Sequence, residues 1–315
     1  MTIFVISSLQ ALIIPVVHRG LRDRSGDIKK RAARIVGNLC ALVNDPKDMS
    51  PYLPSLMPEL QGALIDPLPE VRGAAAKALG ALTSGMANLE ASSAADITPW
   101  LLRTMKSETS SVERSGAAQG LAEILAVKGA SLLDEILPIV FDDCSSRSAA
   151  AREGSMTLFR YLPYCMPEEF QRFLPRMLPC ILGGLADESE GVREASFAAG
   201  SVAVELYAKS ALPLVLPAVE SGAEDCNWRI RQSSIELLGE LLFKVVGTSG
   251  RIQQDLHDDG EGISVEAHGQ AIIDVLGTEK YVLFSSDIEY DIRSLIRCFA
   301  GVTRCWLGCI LPGQM

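Results

Sequence analysis

Aromatic side chains are scarce in this 315-residue chain, at 6% of the sequence, which leaves few rings for stacking nucleobases or lining a cofactor pocket. Histidines are scarcer: His18, His257 and His268 lie at no spacing that suits a metal. His257 with Asp258 and Asp259 sits in a Gly-rich stretch without the alternation of a calcium loop, so a solvated acidic loop is the expectation. None of the eight cysteines forms a C-x-x-C pair. Cys40, Cys144, Cys165, Cys180 and Cys226 fall singly among apolar neighbours, as small core residues of a reducing compartment would. No G-x-S-x-G, P-loop or Cys/His pairing gives catalysis a footing, so no enzyme, cofactor or metal is expected. Positive charge is in deficit, with a net charge of -10. That argues against bulk nucleic-acid or membrane binding and leaves room for a local basic stripe. The opening MTIFVISSLQALIIPVV has an apolar run but no basic region before it, and its Pro15 keeps the spacing described below, so it reads as a helix and not an export signal. Elsewhere no charge-free apolar stretch reaches the ~18 residues of a membrane span. A cytoplasmic protein off the membrane is expected.

What the chain has is a repeat. In MPELQGALIDPLPEVRGAAAKALGAL, residues 57–82, an apolar segment opening at Pro58 meets a two-proline turn, and Val71 and Arg72 open an Ala-rich segment. Pro15 is followed at thirteen residues by Ile28 and then Lys29, Pro58 by Val71 and Arg72, Pro179 by Val192 and Arg193, Pro217 by Ile230 and Arg231. Pro99 and Pro138 lead the same way to Val112, with Arg114 one place late, and to Ala151 and Arg152. The steps between these prolines are 43, 41, 39, 41 and 38 residues, the period of a two-helix HEAT or armadillo unit. The fold class is therefore all-α, a HEAT/armadillo-type α-solenoid of about six to seven two-helix repeats. Leu, Ala, Val and Ile supply its core.

Six repeats occupy 9–246 and read as one continuous array. In the first, Ala32, Ile35, Val36 and Leu39 make the expected buried stripe. In the sixth, Ile230, Ile235, Leu238, Leu242 and Val245 do so. Gly116, Ala117, Ala118 and Gly120 let a neighbouring helix come close. ANLEASSAAD reads as a mobile linker, and 247–268 as an acidic, Gly-rich, disordered insertion. An incomplete or divergent seventh repeat fills 269–315, where Glu279 replaces the expected proline. Neither end has the polar cap that a solenoid needs, so a truncated or altered gene product is expected.

Lys29, Arg72, Arg114, Arg152, Arg193 and Arg231 each stand at the start of a second helix. Stacked about 10 Å apart they form a ladder that can receive an acidic partner such as rRNA phosphates. The alternative is structural: each base pairs with an acid of its own or the adjacent turn, Asp23, Asp66, Asp187 or Asp225, and fixes the register of the repeats. Lys30, Arg31 and Arg34 exceed what a ladder needs and are the better contact candidates. The candidate binding set is Lys29, Lys30, Arg31, Arg34, Arg72, Arg193, Arg229 and Arg231. Trp100 and Trp228 are expected to pack between repeats, with a surface hot spot as the other reading.

DRSGDIKKRAARIVGNLCAL, LIDPLPEVRGAAAKALGAL, VERSGAAQGLAEIL, LFRYLPYCMPEEFQRFLPRMLPCILGGLAD, NWRIRQSSIELLGELLFKVVGTSG and EAHGQAIIDVLG together resemble the general-control translational activator family. These are very large HEAT proteins that help the stress kinase of initiation factor two alpha sense stalled ribosomes, and the similar segment is the central part, itself like the HEAT region of elongation factor three. The resemblance covers about Leu9 to Gly277. It implies ribosome association, docking of an ATP-binding-cassette partner and a role in amino-acid starvation signalling, with the kinase engaged only through a segment absent from this chain. The other reading is a transport or microtubule-binding HEAT adaptor.

Overall fold

The computed structural model describes residues 2–42, 50–85, 97–208 and 212–246. The ANLEASSAAD linker, the 247–268 insertion and the 269–315 segment lie outside the described residues. Among those described the fold is all-α, as expected, with thirteen α-helices and no strand. They are α1 (Thr2–Leu21), α2 (Gly26–Leu42), α3 (Leu53–Leu64), α4 (Pro69–Gly85), α5 (Thr98–Met105), α6 (Ser111–Lys128), α7 (Ala130–Asp143), α8 (Ala149–Cys165), α9 (Pro167–Gln171), α10 (Leu174–Gly184), α11 (Glu190–Tyr207), α12 (Leu212–Ala223) and α13 (Trp228–Val246). The chain divides into two compact units, Met1–Val202 and Ala203–Met315, with the boundary inside α11.

In the first unit, helix pairs succeed one another and their second members lie side by side, α2 on α4, α4 on α6 and α6 on α8. The reason is side-chain size. Ala74, Ala75, Ala76 and Ala78 on α4 and Gly116, Ala117, Ala118 and Gly120 on α6 are all buried, so neighbouring backbones meet closely. At Gly116 the approach is closest: a Cβ built there would fall 1.7 Å from the carbonyl oxygen of Leu64, at the end of the preceding repeat's first helix. At Gly154 it would fall 2.1 Å from that of Met105, the same contact one repeat on. The small-residue run thus does what its composition suggests.

Five of the six repeat prolines do not open helices. Pro15, Pro58, Pro138, Pro179 and Pro217 lie inside α1, α3, α7, α10 and α12, and only Pro99 sits at a helix start. All six are exposed, where a carbonyl that lost its amide partner can bond water. The opening role in α3 and α10 belongs to Pro54 and Pro175, in the first turn where no intrahelical amide bond is lost. Pro69 does open α4.

Two buried stripes also shift. Ile35 is 39% exposed, and the α2 core is Ala32, Ala33, Val36, Leu39 and Cys40. In the second unit α12 packs on α13, and the buried face of α13 runs through Ser234, Leu237, Leu238 and Leu241, with Ile230 and Ile235 at its margin. The irregular fourth repeat holds the few aromatics together. Phe141 meets Phe159 at 5.4 Å between ring centroids, Phe159 meets Phe170 at 6.3 Å, and Phe170 meets Phe173 at 6.1 Å. Phe170 lies on the short α9, a helix the repeat period did not foretell.

Candidate functional site

Four of the turns between paired helices are closed by an aspartate. Asp66 accepts the Leu68 amide at 2.9 Å, Asp187 that of Ser189 at 2.9 Å, Asp225 that of Asn227 at 2.7 Å and Asp23 that of Ser25 at 2.8 Å. The side chain thereby closes the turn locally. From the far side the ladder arginine reaches back. Arg72 Nη1 donates to the carbonyls of Asp66 at 2.9 Å and Pro67 at 2.8 Å. Arg193 does so to Asp187 and Glu188 at 2.8 and 3.0 Å, and Arg231 to Asp225 and Cys226 at 2.9 and 2.8 Å. Arg152 holds Ser146 and Arg147 at 2.8 and 3.2 Å, and Arg114 holds Ser107 at 2.8 Å. Except at Lys29, the ladder is thus first a row of clamps on the carbonyls that follow the first helix, groups otherwise left without donors.

Its second role joins repeats. Lys29 Nζ meets Asp66 of the next turn at 2.6 Å, Arg114 Nη2 meets Glu153 at 2.6 Å, and Arg152 grips both oxygens of Asp187 at 2.6 and 2.8 Å. Burial alone would raise the Asp66 and Asp187 carboxyls; the bonds from Lys29 and Arg152, the turn amides and the nearby charges outweigh it and hold both below the ordinary value. Where the third turn carries Ser107 in the acid's place, Arg72 keeps its clamp, with no ion pair to it among the described residues.

Of the candidate binding residues, Arg72 is buried at 9% exposure, and Lys29, Arg193 and Arg231 are half-buried and engaged as above. Lys30 pairs with Glu70 across repeats. Arg229 is exposed, its guanidinium 5.4 Å from the centre of the Trp228 ring. Trp228, the first residue of α13, is 59% exposed, so it does not pack between helices within its unit. Trp100 is half-buried. Arg31 and Arg34 are exposed and make no ion pair among the described residues. Arg31 stands two residues after its ladder base, a position filled by Ala74, Gly116, Gly154, Ala195 and Ser233 in the other repeats. There Gly116 and Gly154 lie against a neighbouring carbonyl, a place too tight for a guanidinium.

Sequence reading missed a second basic group beside these. Arg19, Arg22 and Arg24 line an open groove with His18 and Ser55. His18 Nδ1 lies 2.6 Å from Glu59, Arg22 lies 2.5 Å from the other oxygen of Glu59, and Ser55 Oγ is 3.2 Å from His18 Nε2. Serine, histidine and carboxylate in series resemble a hydrolase relay. However, the Ser55 hydroxyl donates to the Tyr52 carbonyl at 2.9 Å, so its oxygen faces the ring with lone pairs and offers no proton for a base to take. The cluster staples α1 to α3. Contacts across a 37- to 41-residue separation, such as His18 with Ser55 and with Glu59, leave no local spacing signal.

The cysteines are less buried than expected. Cys40 is in the core and burial pushes its thiol up to about 11, but Cys144, Cys165 and Cys180 are half-buried and Cys226 lies exposed in a turn. Among the described residues no three His, Cys, Asp or Glu side chains are grouped to hold a metal ion, and no helix is long and apolar enough to cross a membrane.

Residues 3–93 match the family described as Elongation factor 3/GNC1 HEAT repeat, and residues 215–245 match the HEAT repeat. The chain is 53% identical over 270 residues to Protein ILITYHIA of Arabidopsis thaliana, and 43% identical over 272 residues to the stalled ribosome sensor GCN1 of Homo sapiens. It is 42% identical over 270 residues to the eIF-2-alpha kinase activator GCN1 of Saccharomyces cerevisiae. Each alignment covers 86% of this chain and 10% of the relative, so the chain spans about a tenth of the length of these proteins.

Proposed function

Because the chain belongs to the GCN1 family, we propose that it is a non-catalytic HEAT scaffold that takes part in sensing stalled ribosomes, and so in controlling the eIF-2-alpha kinase during amino-acid starvation. The names of its relatives, a stalled ribosome sensor and a kinase activator, support ribosome and kinase as partners of the pathway. The exposure of Arg31 and Arg34, with Lys30 beside them on α2, supports that helix as the surface that meets the ribosome.

The observation that carries this is the substitution of Arg31 for the small residue found at its position in every other repeat. A long cation costs a stacked helix its close approach, so its presence here favours an outside partner over another repeat. Phosphate oxygens suit it, since guanidinium takes them in a bidentate grip. The remaining ladder bases serve the scaffold, and an ATP-binding-cassette protein is proposed as a further partner on the surface that they hold in register. Such work belongs to the cytoplasm. Co-sedimentation of the chain with ribosomes at rising salt tests the reading: binding that weakens steadily with log salt supports phosphate contacts, and no binding at low salt refutes it.

A further inference from the structure

Arginine stands three residues before a serine at four places in the chain: Arg22 before Ser25, Arg152 before Ser155, Arg193 before Ser196 and Arg231 before Ser234. Three of these serines are out of reach. Ser155, Ser196 and Ser234 are fully buried, and Ser155 and Ser196 donate their hydroxyl protons to the Ala151 and Val192 carbonyls at 3.1 and 2.7 Å. Ser25 is exposed in the turn between α1 and α2, with its amide on Asp23, and its hydroxyl makes no hydrogen bond among the described residues. Ser110 and Ser148 also stand four residues before a ladder base, and their hydroxyl oxygens accept the Val112 and Ala151 amides at 3.2 and 3.3 Å. The Ser25 hydroxyl is free. Arg24 directly before it is exposed, and the Arg22 side chain is 75% exposed although it pairs with Glu59. Both line the open groove with Arg19.

We propose that Ser25 is a phosphorylation site for a protein kinase that selects basic substrates. Such an enzyme reads arginines on the amino-terminal side of its serine with carboxylates of its own, which guanidinium meets in two parallel hydrogen bonds. Arg22 and Arg24, three and one residues before Ser25, present that pattern on a stretch outside both helices. In the transfer, Ser25 Oγ attacks the γ-phosphorus of ATP, the bond from that phosphorus to the bridging oxygen of ADP breaks, and the hydroxyl proton passes to a base of the kinase. One serine and one ATP give one phosphoserine, ADP and a proton. The fold tolerates the product, because the start of a helix favours added negative charge and Lys29 follows one turn on. The consequence for function rests on the reading of α2 as the ribosome-facing helix. A phosphate of about two negative charges stands about 9 Å along the helix axis from Arg31, near the screening length at physiological salt, and repels ribosomal phosphates from it.

The test treats the whole folded chain with ATP and the catalytic subunit of cyclic-AMP-dependent protein kinase, then digests it and maps the phosphate by mass spectrometry. Ser25 is expected to be modified first, while Ser155, Ser196 and Ser234 stay unmodified. Arg22→Ala should react about tenfold more slowly, the worth of one charge-assisted pair, and Ser25→Ala should take up little phosphate. Phosphate appearing first at another residue, or equal uptake by Ser25→Ala, would overturn the proposal, and the map of the unsubstituted chain decides it even where a variant folds poorly. Ribosome co-sedimentation tests the consequence separately. The phosphorylated chain is expected to bind about threefold more weakly than the unmodified chain at low salt, and equal binding would refute the repulsion. If the unmodified chain does not sediment at all, the ribosome reading fails while the assignment of Ser25 still stands or falls by its map.

Discussion

The start of α2 and the start of α4 occupy the same register and do different things. In the second turn Arg72 is buried and clamps two carbonyls, and Ala74, two residues on, disappears into the helix stack. In the first turn Lys29 reaches forward to Asp66 instead, and Arg31, two residues on, stands in solvent with Arg34. A guanidinium has the planar fork to hold two carbonyls of its own turn, whereas an ammonium on a flexible stem is a point charge suited to one carboxylate. What separates a clamping base from an exposed one in this array is thus depth and shape, not spacing.

The comparison can be strained hardest at the position two residues after the base. Gly116→Ala puts a methyl on the Leu64 carbonyl and should cost about 3 kcal/mol, read as a lowered urea midpoint, whereas Arg31→Ala at the matching position should leave the midpoint unchanged. Next comes the clamp. Arg72→Met strips two carbonyls of their donor and should cost about 2 kcal/mol, against about 1 kcal/mol or less for Lys29→Met, which breaks one part-exposed pair. Equal losses from the two would erase the distinction. Acid sharpens it further. Asp66 and Asp187 have folded values below the ordinary carboxylate value of about 4, so the unfolded chain binds more protons in that range. Their stabilisation is full above about pH 4 and fades as pH falls through the lower folded values. Unfolding midpoints followed from pH 6 downward should therefore drop less steeply in Asp66→Asn than in the parent. The smallest effect on stability is expected from Arg31→Glu with Arg34→Glu, within about 0.5 kcal/mol by thermal melting, because neither side chain has a partner among the described residues to lose.

The helix pairs and the ladder could be read from the sequence because both repeat: apolar spacing marks the helices, and a base recurs at a fixed distance from a proline. Small residues at 116–120 likewise announced close packing. What the bases hold could not be read, because backbone carbonyls carry no sequence signal; pairing with acids was visible, and clamping of Arg72 on Asp66 and Pro67 was not. The prolines kept their period yet, Pro99 apart, lie in mid-helix, since on an exposed face water can replace the missing partner. Contacts between repeats were the least legible. His18 and Glu59 lie 41 residues apart, and only the stacking brings them together.

The central claim, that the ladder bases build the scaffold while Arg31 and Arg34 face a partner, is tested most directly by salt-dependent ribosome co-sedimentation of Arg31→Glu with Arg34→Glu beside Arg72→Met, each with its melting curve. The account predicts that the double charge reversal abolishes sedimentation with its melting unchanged, and that Arg72→Met melts earlier but still sediments at a temperature where it is folded. Undiminished sedimentation of the charge-reversed chain would contradict it.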